Sequence, residues 1–369
     1  MKTMSPREKW FAYFRGEDVG PMVAPLVDNW SLDIPYYWPY NEPEPFPVGH
    51  RHHGFAEQMA MAEICGYDGL FYCWADFPQI KPIEASTTER VEGNTRIIEN
   101  RTETPYGPLT SITEIAATQR TVKPEVETEE DFVKVRWLIE QSGQIDVAAA
   151  VAQGKENLSS VGDKGLTGMW WGPPGVRGID RADLFVYIAE FSELYKELLD
   201  LQFQVDLKRL DILREMGYDF LFYCVDGTEW ISPNYFEEFI APYTETTISK
   251  WKDMGGSIVW HSCGLVTEFV YRGYYNRYLP EILETMSEPP VGNLPSLKWG
   301  RERVDPRIAT KGNIDLQLLH DGPIEEIRAE VRRVKEETAG YRHIMGASDD
   351  ILNGTPLENM LAFVDEARK

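Results

Sequence analysis

The stretch GYDFLFYC, residues 217–224, decides the fold: a glycine that ends a helix is followed, after two intervening residues, by an apolar run. A strand with one solvated face alternates apolar and polar residues, whereas a parallel strand covered on both faces is apolar throughout. Almost the same stretch, GYDGLFYC, occupies residues 66–73. Both stretches are therefore predicted to be buried parallel strands, and each is followed within three residues by an aspartate, Asp76 or Asp226.

Strands alternate with helices along most of the chain. Ser5-Pro6-Arg7-Glu8 is a capping box that opens a first helix, and the apolar spacing over residues 180–216 predicts a long one. Repeated strand–helix units are typical of a parallel barrel or a doubly wound sheet. Residues 95–115 break the pattern and predict a β-hairpin insertion. A barrel needs about 250 residues, so we expect one elaborated domain over residues 1–369.

Composition excludes several classes of protein. Lys and Arg number 37 against 60 Asp and Glu, and the net charge of −23 would repel a phosphate backbone, so nucleic acid is not an expected partner. No apolar run approaches the ~20 residues of a membrane span, and no signal peptide is recognisable. We therefore expect a cytoplasmic protein without a membrane partner. The 4 cysteines are widely spread, which suits free thiols or metal ligands better than disulfides.

The apolar run at residues 256–260 leads into His261-Ser262-Cys263-Gly264. Side chains two residues apart in a strand share a face, so His261 and Cys263 could form half of a zinc site. A small buried cysteine beside a hydrogen-bonded histidine is the alternative, and these residues alone leave both interpretations open.

Several motifs together resemble the uroporphyrinogen decarboxylase superfamily over about residues 190–369, and the first half of the chain only loosely. They are Gly217-Tyr218-Asp219, Asp226-Gly227, Ile231-Ser232-Pro233, His261-x-Cys263-Gly264, Lys311-Gly312-Asn313-Ile314-Asp315 and Gly354-Thr355-Pro356-Leu357-Glu358-Asn359. The resemblance implies an α/β fold, a TIM (β/α)8 barrel with N-terminal insertions that include the hairpin.

Within this superfamily, His-x-Cys-Gly resembles the corrinoid-dependent methyltransferase branch, which includes methylcobalamin:coenzyme M methyltransferase and the methyltransferases of O-demethylase systems. The true decarboxylases carry an Arg-Gln-Ala-Gly-Arg-Tyr segment near the N-terminus that this chain lacks. Porphyrinogen decarboxylation is therefore not expected.

The resemblance implies zinc held by His261, Cys263 and a cysteine on the last barrel strand. Residues 343–350 contain no cysteine, so either Asp349 or Asp350 supplies an oxygen ligand or the metal site is lost. The corrinoid (cobalamin) would be carried by a partner corrinoid protein, because the chain lacks the Asp-x-His-x-x-Gly signature.

The predicted function is thus a zinc-dependent methyltransferase that moves a methyl group between a corrinoid protein and a small methylated substrate or acceptor. The alternative is a metal-free, decarboxylase-like lyase or a small-molecule-binding protein on the same barrel. A homodimer is left open.

Further site residues are predicted from their position after strands. Asp76 resembles by position the superfamily's active-site aspartate, and Asp226 is a candidate general base or partner of His261. Trp30, Trp74 and Trp171 are candidates for the wall of a substrate pocket, with ordinary core packing as the alternative. Asn313 is expected to hold a strand-end turn rather than to contact a substrate.

Overall fold

The computed structural model describes residues 4–27, 55–179, 184–225, 231–352 and 354–369. The chain falls into two compact units. We call Met1–Ala75, Gly154–Pro173 and Met216–Lys369 the barrel unit, and Asp76–Gln153 and Pro174–Glu215 the second unit. No helix in the described parts of the chain combines the length and apolarity needed to cross a membrane.

The described chain contains strands of 2 to 8 residues. In chain order they are β1 (Met22–Val23), β2 (Gly69–Cys73), β3 (Ala85–Glu92), β4 (Thr95–Thr102), β5 (Leu109–Ile115), β6 (Gln119–Lys123), β7 (Gly165–Trp171), β8 (Phe220–Cys224), β9 (Ser257–His261), β10 (Ile282–Glu284), β11 (Ala309–Ile314) and β12 (His343–Ala347).

The helices account for most of the remaining described chain. They are α1 (Pro6–Phe14), α2 (Phe55–Cys65), α3 (Glu129–Ser142), α4 (Val147–Ser159), α5 (Leu184–Met216), α6 (Pro233–Tyr235), α7 (Ala241–Asp253), α8 (Thr267–Tyr271), α9 (Tyr274–Tyr278), α10 (Leu297–Arg301), α11 (Leu316–Asp321), α12 (Ile324–Glu337) and α13 (Leu357–Arg368). A short 3-10 turn covers Gly162–Lys164, and a π-helical turn, Phe236–Ile240, joins α6 to α7.

The barrel unit is built on one sheet of eight parallel strands in the order β1-β12-β11-β10-β9-β8-β7-β2. The backbone N–H of Asp68, just before β2, donates to the carbonyl of Val23 on β1 at 2.6 Å. The two outer strands of the sheet therefore meet and give a TIM-like barrel. This agrees with the barrel part of the predicted fold class.

The barrel interior is filled by apolar side chains from these strands. The buried cluster includes Tyr72, Leu166, Phe220, Phe222, Val259, Ile282, Ala309 and Ile344. Gly168 on β7 lies against the ring of Phe220, its register partner on β8, and a Cβ at Gly168 would overlap that ring. A side chain larger than hydrogen would therefore fit at this position only if that ring moved.

Helix α1 begins with the predicted capping box, in which Ser5 and Glu8 each bond the other's backbone. Its basic side chains meet the aspartates of the two repeated stretches. Arg7 donates to Asp219 at 2.7 Å, and Lys9 donates to Asp68 at 2.8 Å. Both carboxylates are buried, and each also accepts the backbone N–H of a neighbouring strand. The aspartates of the repeated stretches thus hold α1 by ion pairs at the amino ends of β2 and β8.

The second unit contains an antiparallel sheet in the order β3-β4-β5-β6. Strands β4 and β5 pair antiparallel over residues 95–115, where the sequence predicts a hairpin, and β3 and β6 extend the sheet on either side. Helix α5 carries a break at Phe191, where φ is −131° and ψ is 36°.

Candidate active site

Three neighbouring strands each place one ionisable side chain at the same level of the barrel. His261 ends β9, Glu284 ends β10 as its register partner, and Lys311 lies on β11. His261 Nδ1 lies 3.0 Å from Glu284 Oε1, and Lys311 Nζ donates to Glu284 Oε2. Glu284 is 0% exposed and Lys311 2% exposed, so the two charges depend on each other rather than on solvent. We call these three residues the His–Glu–Lys group.

The electrostatics of the His–Glu–Lys group follow from this pairing. Burial alone would raise the pKa of Glu284, but the adjacent Lys311 and His261 outweigh it and hold that pKa below its usual value. Burial alone would lower the pKa of His261, but hydrogen bonds with Cys263 and Glu284 and the negative charge of Asp349 raise it to about 10. The imidazole therefore carries two protons at neutral pH unless a ligand replaces one.

Asp349 and Cys263 are the predicted metal ligands that lie beside His261. Asp349 Oδ1 is 3.8 Å from His261 Nε2, and the side chain of Cys263 is hydrogen-bonded to the same imidazole. The backbone N–H of Asp350 donates to Asp349 Oδ1 at 2.8 Å. Asp350 lies close enough to Tyr67 for its charge to help raise the pKa of that phenol, of which burial is the main cause.

The donor atoms suit zinc in kind, since they are an imidazole nitrogen, a sulfur and a carboxylate oxygen. Two ligand atoms of a tetrahedral zinc lie about 3.3 Å apart, close to the 3.8 Å between His261 Nε2 and Asp349 Oδ1. Glu284 on Nδ1 is the kind of carboxylate that orients a metal-bound histidine. Among the described residues, however, no three His, Cys, Asp or Glu side chains are arranged to hold a metal ion.

Aromatic rings form one side of the site. The ring centroids of Phe222 and Trp170 lie 5.2 Å and 6.4 Å from that of His261. Tyr72 stacks on Phe222 at 4.9 Å, and Trp74 stacks on Trp170 at 6.4 Å with 14° between the planes. Trp74 is 54% exposed, so this aromatic wall runs from the barrel interior to the surface.

The other predicted pocket tryptophans are placed differently. Trp171 is in register with Tyr223, whereas Trp170 is in register with Phe222 of the barrel interior. Successive residues of a strand face opposite sides, so Trp170 rather than Trp171 reaches His261. Trp30 lies outside the described residues.

The structure does not test the roles of the two predicted catalytic aspartates. Asp76 belongs to the second unit, where its carboxylate accepts a hydrogen bond from Gln153 at 3.0 Å. Asp226 lies outside the described residues. Their catalytic roles stay predictions.

Glu284 and Lys311 are the site residues that sequence analysis missed. Each is the one charged residue of a strand that is buried along its whole length, β10 or β11. Isolated charges in buried strands have to be paired, and that rule was the available signal.

A parallel barrel with ionisable groups at the carboxyl ends of its strands defines the class of TIM-barrel enzymes. Within that class, the chain belongs to the uroporphyrinogen decarboxylase (URO-D) family, whose sequence model matches residues 180–369. It is 27% identical over 180 residues to uroporphyrinogen decarboxylase of Geobacter metallireducens, covering 47% of this chain and 48% of that protein. It is also 27% identical over 146 residues to the enzyme of Prochlorococcus marinus, covering 37% of each chain.

The chain thus spans about half or less of the curated relatives it matches. A solved structure, a methyltransferase from Methanosarcina mazei, is similar over 99% of this chain and 98% of its own, with a TM-score of 0.60 and 16% identity. This likeness shows a shared fold.

Proposed function

We propose that this chain is a zinc-dependent methyltransferase that moves a methyl group between a small substrate or acceptor and a corrinoid protein. The observation that carries the proposal is the imidazole of His261, with Nδ1 held by Glu284 and Nε2 towards Asp349, beside Cys263. The fold shared with the Methanosarcina mazei methyltransferase supports it.

His261, Cys263 and Asp349 would hold the zinc ion in this proposal. Bound zinc would act as a Lewis acid, making a heteroatom a better nucleophile or a better leaving group. Glu284 would keep the imidazole oriented, and Lys311 would balance the charge of Glu284. His261 Nε2 would lose its proton when zinc binds.

The substrate and partner would approach from the carboxyl ends of the strands. The aromatic wall of Phe222, Trp170 and Trp74 offers an apolar surface for the methyl-bearing molecule. A separate corrinoid protein would dock over this end of the barrel, because methyl transfer needs the two reacting atoms in contact.

A metal-free, decarboxylase-like lyase is the second candidate, and the protonated His261 favours it. A carboxylate substrate would lose carbon dioxide as its carbon–carbon bond breaks and the electron pair stays on carbon. The imidazolium of His261, backed by Glu284, would then donate a proton to that carbon. The curated relatives named uroporphyrinogen decarboxylase make this reaction class a natural comparison.

Zinc content separates the two candidates. Protein purified without chelators should contain about one zinc per chain by elemental analysis, and Cys263→Ser should lower that content sharply. Cys65→Ser is the matched control, because it makes the same substitution at a cysteine that lies on α2. Methyl transfer to or from free cobalamin, followed by its visible spectrum, should require the zinc. A zinc-free protein that releases carbon dioxide from a carboxylic acid would replace the methyltransferase proposal with the lyase.

A further inference from the structure

Three polar side chains at the carboxyl ends of neighbouring strands are buried without a partner among the described residues. They are Thr285, Asn313 and Ser348, which are 1%, 5% and 4% exposed. Their four polar atoms, the two hydroxyl oxygens and both atoms of the Asn313 carboxamide, have no hydrogen-bond partner within the described chain. Within the described chain the Asn313 side chain thus makes no hydrogen bond that would hold a strand-end turn, and that role stays a prediction.

These side chains lie on three adjacent strands. Thr285 directly follows β10, Asn313 is on β11 two residues after Lys311, and Ser348 directly follows β12 and precedes Asp349. Strands β10, β11 and β12 are neighbours in the sheet, and adjacent strands are about 4.8 Å apart. The unpartnered atoms thus occupy the same end of the barrel as the His–Glu–Lys group.

The local backbone does not depend on these side chains. The N–H of Ser348 donates to the carbonyl of Ile314 at 2.8 Å, and its carbonyl accepts from Ser287 Oγ at 2.6 Å. The register partner of Asn313 on β12 is Gly346, which adds no side chain beside it. Each buried donor or acceptor left unpaired costs roughly 1–3 kcal/mol, so four such atoms at one end of the barrel are atoms that a bound molecule would satisfy.

The chemistry of Asn313 indicates which ligand. A carboxamide presents an acceptor and a donor side by side, and its complement is a planar group with N–H next to C=O. A carboxylate offers only acceptors and would leave Asn313 Oδ1 unpaired. The hydroxyls of Thr285 and Ser348 can donate or accept, so they fit around either side of such a group.

We propose that Asn313, together with Thr285 and Ser348, forms a binding subsite for a ligand with a planar amide edge, such as a lactam ring or a primary carboxamide. The proposal rests on the proposed function only in that this ligand would be the methyl donor or acceptor. Binding of the amide edge itself requires no metal.

Asn313→Leu tests the subsite, because leucine keeps the approximate size and removes both polar atoms. The free variant should unfold at the same denaturant concentration as wild type or a higher one, since the wild-type carboxamide is unpaired. Asn359→Leu is the matched control. Asn359 is 6% exposed, but its amide donates to the carbonyls of Leu319 and Gly322. The control should be clearly destabilised.

Binding is read by saturation-transfer NMR with two probes of equal ring size, the lactam 2-piperidone and the ketone cyclohexanone. Wild type should bind the lactam more tightly than the ketone, and Asn313→Leu should lose roughly tenfold in lactam affinity with little change for the ketone. Equal affinity of wild type for the two probes would overturn the proposal. So would destabilisation of Asn313→Leu to the level of Asn359→Leu, because Asn313 would then have a structural partner.

The same samples separate this inference from the methyltransferase proposal. If wild-type protein binds the lactam but contains no zinc, the subsite proposal is supported and the methyltransferase proposal is refuted. A protein that contains zinc but binds the lactam no more tightly than the ketone would refute the subsite and leave the methyltransferase proposal intact.

Discussion

Lys311→Met is expected to destabilise the barrel strongly, because it leaves Glu284 charged and buried. Methionine keeps the length of the lysine stem, with sulfur in place of one methylene, and lacks the ammonium group. Glu284 is 0% exposed, so water cannot replace the lost partner. Removing one member of a buried ion pair costs about 3–5 kcal/mol, whereas replacing both members by neutral groups of similar shape is often close to neutral.

The assay is urea unfolding of wild type, Lys311→Met, Glu284→Gln and the double variant, followed by circular dichroism. Each single variant should lose about 3–5 kcal/mol of unfolding free energy. The double variant should lose well under half of the sum, because the carboxamide introduced by Glu284→Gln can still accept the Nδ1 proton of His261 and neither position 284 nor position 311 then carries a charge.

Acid provides a second check on the same pair. The pKa of Glu284 in the folded protein is held below its ordinary value of 4.5. Its contribution to stability is therefore fully present above that value and is lost as the pH falls through the lowered folded pKa. The stability difference between wild type and Lys311→Met should narrow on acidification. A double variant as unstable as the sum of the single variants would refute the charge-pairing argument and assign both residues a packing role.

Three further predictions concern the proposed zinc site and the barrel core. The pKa of His261 is raised to about 10, so zinc has to displace a proton from its imidazole at neutral pH. Apparent zinc affinity, measured by chelator competition, should therefore rise roughly tenfold per pH unit for each proton released. A zinc affinity that does not change with pH would exclude His261 as a ligand. Asp349→Ala should weaken zinc binding. Asp349→Cys should preserve or strengthen it, because thiolate is a common zinc ligand. If Asp349→Ala leaves zinc affinity unchanged, Asp350→Ala and then Cys224→Ser are the next variants to test. Gly168→Ala should lower the unfolding free energy by about 1–3 kcal/mol through its overlap with the Phe220 ring, and an unchanged urea midpoint would contradict that packing.

Much of the fold could be predicted because its signals are local. The capping box at Ser5, the apolar strands at residues 66–73 and 217–224 and the hairpin near residue 105 depend only on residues close in sequence. The spacing of His261 and Cys263 predicted that they lie close together, and they do, although β9 ends at His261 and Cys263 lies just beyond it. Local patterns were therefore enough for the elements and for part of the site.

The rest of the site depends on which strands are neighbours. Glu284 and Lys311 are 27 residues apart, and only the adjacency of β10 and β11 brings them together. The choice of Trp170 over Trp171 depends on the register between β7 and β8, where a shift of one residue would exchange their faces. The unpartnered carboxamide of Asn313 could not be foreseen, because hydrogen-bond satisfaction is a property of the packed structure.

The anchoring of α1 constrains how the chain can fold during synthesis. Strand β1 pairs with β12, and Asp68 accepts hydrogen bonds from both Lys9 and Arg368, the latter 300 residues further on. A nascent chain therefore cannot close the barrel until β12 and α13 have left the ribosome. Until then Asp68 lacks one of its basic partners and the apolar edge of β1 lacks its neighbour. Such an unpaired edge is prone to aggregation, and the long-range pairing predicts slow, late completion of folding.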